Sequence, residues 1–180
     1  MRQRAIWLGL GGNIAGAWGP PRSTLARAVR EIEAAGFIIV SRSRIYRTLP
    51  IGGGRQPSYL NAVVGVRGSM APAELLRFVK SLEGAAGRRS NGRWGARPLD
   101  VDILDFGGRR VGQPGTARLA GRLLLPHPEI AGRGFVLVPL AEAGPDWRHP
   151  RLGVGAAALL RRRPWLRRGV GAVAPWECDA

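Results

Sequence analysis

Cysteine is almost missing: Cys178 stands alone in 180 residues, which excludes an internal disulfide and a thiolate metal cluster. Histidine is nearly as scarce. His127 and His149 are too few for a histidine-rich zinc site and leave little choice for a nucleophilic triad. Lys80 is the only lysine among 28 basic residues, and it does not follow a glycine, so there is no G-x-x-x-x-G-K-[ST] phosphate loop. Gly9-Leu10-Gly11-Gly12 does not complete a dinucleotide fingerprint, because Ile14 stands where the last glycine belongs. No run approaches the roughly 18 apolar residues of a membrane span. The short apolar stretch near the N-terminus is broken by glycines and reads as a first strand, not as a signal peptide. A cytoplasmic protein without a membrane partner is the expectation.

Arginine is abundant. The net charge is +16, with 45% hydrophobic residues, an ordinary share for a folded domain. The excess is spread along the chain: 22 basic against 10 acidic groups over residues 1–150, and 6 against 2 over 151–180. An even surplus of this kind attracts polyanions in general, a nucleotide included. Arginine in place of nearly all lysine, in a chain rich in Ala, Gly and Pro, is also what a GC-rich genome produces. Nucleic acid is therefore not expected as a partner.

Hydrophobic periodicity orders the chain. Residues 4–10 predict a strand ended by glycines. Ser23 can cap a helix running to Ala35, with Leu25, Ala28, Val29 and Ile32 on one face and Gly36 at its stop. Residues 37–48 predict one long strand, 49–57 a loop, and 59–66 a third strand. A second helix begins near Pro72, with Leu75, Phe78, Val79 and Leu82 at helical spacing. A polar loop with four arginines follows over 84–98. Then 99–106 alternates as a half-buried strand, with a break at Leu104-Asp105 and a turn at Gly107-Gly108. This βαββαβ order is that of a ferredoxin-like α+β fold with a largely antiparallel sheet. A short strand at 123–125 and helices at 135–143 and 154–163 follow. The expected division is a catalytic domain over 1–153, with 154–180 forming a C-terminal helix and basic tail, either part of the same domain or loosely packed.

Asp100-Val101-Asp102 carries the chemistry. On a strand, i and i+2 side chains share a face roughly 6.5–7 Å apart. Two carboxylates at that separation can hold one or two hard cations, and Mg²⁺ bound in this way takes substrate phosphates as further ligands. A bare D-x-D is more often a solvated pair on an open sheet face. The upstream run Gly87-Arg88-Arg89 and Arg93-Trp94-Gly95-Ala96-Arg97 shifts that balance, since guanidinium forks beside a metal-binding pair are what a triphosphate needs.

The run Leu82-Glu83, Gly87-Arg88, Arg93-Trp94-Gly95-x-Arg97-x-Leu99-Asp100-x-Asp102-Ile103-Leu104 resembles the signature of the 6-hydroxymethyl-7,8-dihydropterin pyrophosphokinases. Four further segments agree in order: Leu8-Gly9-x-Gly11-x-Asn13; Tyr46-Arg47-Thr48-x-Pro50-x-Gly52; Gln56-Pro57-x-Tyr59-Leu60-Asn61; and Leu125-Pro126-His127-Pro128 with Arg133-Gly134-Phe135. The resemblance covers about residues 4–150. It implies a ferredoxin-like fold and transfer of pyrophosphate from ATP to 6-hydroxymethyl-7,8-dihydropterin, releasing AMP, in folate biosynthesis. It also implies two Mg²⁺ ions on Asp100 and Asp102, with Arg88 and Arg97 joining them in catalysis. Glu83, Arg88, Arg97, His127 and Arg133 are expected to bind ATP. Thr48, Leu49, Ile51, Tyr59, Asn61, Trp94 and Phe135 are expected to bind the pterin, Trp94 from a mobile loop. A flat ring with an amide-like edge suits aromatic faces and amide or hydroxyl partners.

Gly12, Leu49 and Ala96 depart from the family pattern, where a serine and two prolines are usual, and the arginine loop is about one residue shorter. None of these changes removes a charged or stacking group. A monomer acting on small molecules is expected. A repurposed homologue would bind ATP without forming AMP. An RNA-binding ferredoxin-like module is disfavoured, because the acids on 99–106 repel phosphate. The tail, with Arg161-Arg162-Arg163, Trp165 and Arg167-Arg168, offers a basic aromatic surface. It reads more simply as a solvated extension, so truncation after Leu160 is expected to preserve catalysis.

Overall fold

The structure, a computed structural model, describes residues 4–50, 56–89, 95–112, 123–174 and 176. Strand β1 (Ile6–Gly12) shows how the layers arise. Ile6, Leu8 and Leu10 alternate with Trp7, Gly9 and Gly11, so the two faces of one strand enter different cores. The first core lies beneath α1 (Pro21–Ala34) and α2 (Pro72–Ala85), where Leu25, Ile32, Leu75 and Val79 are fully buried. The second lies beneath α3 (Gly134–Ala143) and α4 (Ala156–Arg162) and gathers Trp7, Val63, Leu104, Leu137 and Leu140. Each large apolar side chain so buried contributes roughly 1.5–3 kcal/mol. The result is a sheet between two helical layers.

The other strands are β2 (Ile38–Arg42), β3 (Ile45–Thr48), β4 (Tyr59–Arg67), β5 (Asp100–Phe106) and β6 (Val170–Ala174). All recorded pairings are antiparallel, in the order β5-β1-β4-β3-β6, with β2 also on β4. Gly9 faces Asp102 and Gly11 faces Asp100 across β1–β5. The register shifts at Trp7/Leu8, so that Leu104 is the extra residue of a bulge, which is the physical form of the break in alternation.

Four expectations are corrected. Helix α1 begins at Pro21 with Pro20 as its N-cap and no side-chain cap, so Ser23 lies inside the first turn. The strand expected over 37–48 is two, because the chain bends at Ser43, whose Oγ accepts a hydrogen bond from Val63 N at 3.0 Å. The strand expected at 123–125 is a single bridge between Leu125 and Val111. The tail contributes β6, paired with β3, and Trp176, buried with its Nε1 donating to Ser43 O at 2.6 Å. The stop at Gly36, with φ +89, and the start of α2 at Pro72 are as the sequence predicts.

Candidate active site

One sheet face changes character along its length. Trp7, Val63 and Leu104 lie under α3, whereas Asn61, Asp100 and Asp102 continue the same face beyond the helix. Gly9 and Gly11 lie between these polar residues on β1 and raise no side chain over them. A polar floor therefore opens into a cavity of about 430 Å³. Thr48, Leu49, Tyr59 and Asn61 line one side; Arg133 and Phe135 line another; Arg97 and Asp100 complete it. Asp102 and Phe135 share a small adjoining recess.

Hydrogen bonds fix the polar groups. Asn61 Nδ2 donates to Thr48 Oγ1 at 2.7 Å, and both residues are buried. Tyr59 OH donates to Gly95 O at 3.3 Å, tying the β4 end to the arginine loop. Asn13 gathers three segments: Nδ2 donates to Pro57 O and Gln56 Oε1, while Oδ1 accepts from Arg97 N at 2.8 Å. The Arg133 guanidinium lies 5.6 Å from the centre of the Phe135 ring.

The carboxylates are not equivalent. Asp100 pairs with Arg88 and, at 3.2 Å, with Arg97. Burial pushes its carboxyl up, but the charges of Arg88, Arg97 and Lys80 outweigh burial and hold it below the usual carboxylate range. Asp102 has no ion-pair partner among the described residues. Burial, and then the charge of Asp100, push its carboxyl up against the weaker pull of nearby basic groups, Lys80 and Arg133 among them. His127 is pushed down by burial despite Asp102, so its imidazole is neutral at pH 7; its Nδ1 accepts from Glu129 N at 3.2 Å.

Glu83 is not among the residues that line the cavity. It is 3% exposed beneath β5, where Oε1 accepts from Val101 N at 2.8 Å and from Lys80 Nζ at 2.7 Å, and Oε2 meets Arg88 at 2.7 Å. It aligns the strand and the arginine that serve the site. Arg88 reaches Asp100 from the loop behind β5. Ile51 and Trp94 lie outside the described residues.

The donor set suits a hard cation. Two carboxylates share a face, one of them has no ion-pair partner among the described residues, and no third His, Cys, Asp or Glu among those residues joins a metal-holding group. That leaves coordination positions for phosphate and water, as magnesium prefers. Sequence reasoning gave no role to Gln56, Glu129 and Gly132, which also line the cavity, or to Asn13. Asn13 and Gln56 lie in quoted motifs, but only the fold shows that they meet.

The model of the 7,8-dihydro-6-hydroxymethylpterin-pyrophosphokinase (HPPK) family matches residues 7–145. The chain belongs to that family. A 2-amino-4-hydroxy-6-hydroxymethyldihydropteridine pyrophosphokinase of Synechocystis sp. is 40% identical over 156 residues, covering 86% of this chain and 74% of the relative. One of Methylorubrum extorquens is 42% identical over 141 residues, covering 78% and 82%. Among solved structures, the wild-type HPPK-DHPS of Plasmodium falciparum aligns with a TM-score of 0.66 at 14% identity. That alignment covers 96% of this chain and 47% of the other, so the chain spans about half of that protein, and the likeness is one of fold. The HPPK match includes every expected site residue, from Thr48 to Phe135. No helix among the described residues is long and apolar enough to cross a membrane.

Proposed function

We propose that the chain transfers the terminal diphosphoryl group of ATP to the hydroxymethyl oxygen of 6-hydroxymethyl-7,8-dihydropterin and releases AMP, a step of folate biosynthesis. The observation that carries this reading is the placement of Asp100 with Arg97 at one side of the cavity that Thr48, Asn61 and Phe135 line on the others. Phosphate chemistry and a flat-ring pocket thus share one space.

Asn61 donates to Thr48, which leaves its Oδ1 as an acceptor for the N–H edge of a pterin. Tyr59 and Phe135 supply the stacking faces. Two magnesium ions held by Asp100 and Asp102 would supply Lewis-acid charge to the phosphates. Arg88 and Arg97 pair with Asp100 and can turn their forks to phosphate oxygens when nucleotide arrives. Glu83 holds Arg88 and the Val101 amide through that exchange. His127, neutral through burial, can hydrogen-bond a nucleotide without adding charge. The transfer depends on positioning and charge stabilisation, with the hydroxymethyl oxygen in line with the β-phosphorus and its AMP leaving group.

The segment β1-α1-β2-β3-β4-α2-β5, with β5-β1-β4 side by side and β2 and β3 both on β4, supports the ferredoxin-like arrangement. A net charge of +16 favours a monomer through mutual repulsion, and the lone Cys178 and the bacterial relatives support a cytoplasmic home. The test is the leaving nucleotide. With γ-labelled ATP, Mg²⁺ and the hydroxymethyl dihydropterin, label in a pterin diphosphate and stoichiometric AMP are expected. ADP with a pterin monophosphate overturns the mechanism. ATP binding without any AMP marks a repurposed homologue.

A further inference from the structure

The chain after α4 touches both sides of the cavity. Arg163 Nη1 donates to Ala131 O at 3.2 Å, and the Leu166 carbonyl lies so close to Gly134 that a Cβ there would sit 1.6 Å from its oxygen. These contacts seat the turn at Ile130–Gly132 and the start of α3, from which Arg133 and Phe135 face the cavity. On the other side β6 pairs with β3, Val170 opposite Thr48 and Gly171 opposite Arg47. A Cβ on Gly169 would lie 3.5 Å from Leu49 Cδ1. Trp176 pins the far end of this segment to the bend at Ser43. The segment lies beyond the residues that the family model matches, 7–145.

We infer that residues 163–174 are a positioning element for the pterin, setting the distance between the Thr48–Leu49 wall and the Arg133–Phe135 wall without touching substrate. This rests on reading the cavity as the pterin pocket. Without β6, β3 is a short edge strand of 4 residues whose backbone pairs only with β4, and Thr48 is its last residue. Without the Leu166 turn, the first residues of α3 lose their backing. A binding constellation must be held to within about 0.5 Å, so slack in either wall weakens a stacked ring. The phosphate side is anchored elsewhere. Asp100 and Asp102 stand on β5, at the sheet edge opposite β6, and are braced by Glu83 of α2 and by β1. The effect therefore falls mainly on pterin, and ATP feels it only through Arg133, one of the several groups expected to hold the nucleotide.

Two variants of the full chain test this. Val170→Pro with Gly171→Pro places prolines at adjacent ladder positions, so one of them removes an N–H directed at β3. Arg163→Ala removes the donor to Ala131, and Arg163→Lys retains a donor. Steady-state KM values for hydroxymethyl dihydropterin and for ATP are measured in each, with thermal unfolding as the control for folding. The expected result is a pterin KM raised at least tenfold in the proline variant and about threefold in Arg163→Ala. Lysine restores part of the loss, and the ATP KM stays within twofold throughout. A pterin KM unchanged in Arg163→Ala overturns the inference, whether or not the proline variant folds. Parallel rises in both KM values also overturn it, since they indicate general loosening. If the unaltered chain forms no AMP and binds no pterin, the reading of the pocket has failed and this inference with it. That case is recognised because the control itself is silent.

Discussion

Gly11 and Asn61 stand opposite each other across β1 and β4, and a Cβ on residue 11 would lie 2.8 Å from Asn61 Oδ1. The missing side chain is what lets Asn61 keep its amide in the floor of the cavity, donating to Thr48. Gly11→Ala is expected to push that amide off its partner and raise the pterin KM at least tenfold, with the ATP KM nearly unchanged. An unchanged pterin KM in the folded variant would show that the amide tolerates displacement.

Asp100 and Asp102 should both be essential for turnover yet differ in what they do for the fold. Either change to Asn is expected to lower kcat by roughly a thousandfold, the several kcal/mol that metal-assisted charge stabilisation supplies. In a chelating buffer at pH 7, Asp102→Asn should raise Tm, because it removes a carboxylate whose charged form is disfavoured by burial and by Asp100. Asp100→Asn should lower Tm, because it removes an anion that both Arg88 and Arg97 pair with. Equal Tm shifts in one direction would contradict the asymmetry.

Glu83→Ala should act first on stability. It strands the buried Val101 amide, a cost of about 2 kcal/mol, and takes an anion from the half-exposed Lys80 and from Arg88, which keeps Asp100. Urea unfolding measures it. A loss below about 1 kcal/mol would mean that water replaces the carboxylate.

His149 makes stability fall in mild acid. Burial lowers its pKa from 6.5, and its Nδ1 accepts from the amides of Arg151 and Leu152. The unfolded chain takes up the proton near pH 6.5 while the folded chain resists until lower pH, so stability is full above 6.5 and falls as pH drops toward the folded pKa. His149→Asn keeps an acceptor without the titration. Its Tm is expected to drop less than that of the unaltered chain between pH 7 and pH 5, and parallel curves would exclude His149 as the source.

Much of the fold was legible because the period of the apolar residues is local. Leu75, Val79 and Leu82 mark α2 unaided, and the break at Leu104-Asp105 marks the bulge. Asp100 and Asp102 were legible as a pair because strand geometry alone puts i and i+2 on one face. What escaped depends on distant partners. Nothing near Ser43 announces that Val63 and Trp176 meet there to bend the strand, and nothing near Asn13 announces Arg97 and Pro57. Glu83 stands in the signature, but only the fold shows that it is buried and holds Arg88 and the Val101 amide. The tail was judged by its arginines, which are solvated, and not by Val170–Ala174, whose pairing with β3 argues against harmless truncation.

The pairing of β6 with β3 also imposes an order of assembly. Strands β1 and β4, the helices α1 and α2, and β5 with its two aspartates are complete before the ribosome has translated residue 107. The outer neighbour of Thr48 is translated long afterwards. A nascent chain can thus set the two aspartates in place early, while Thr48 waits for a contact of very large sequence separation, the kind that forms slowly. The strand that flanks Thr48 on its outer side thus joins a sheet whose other members are already translated.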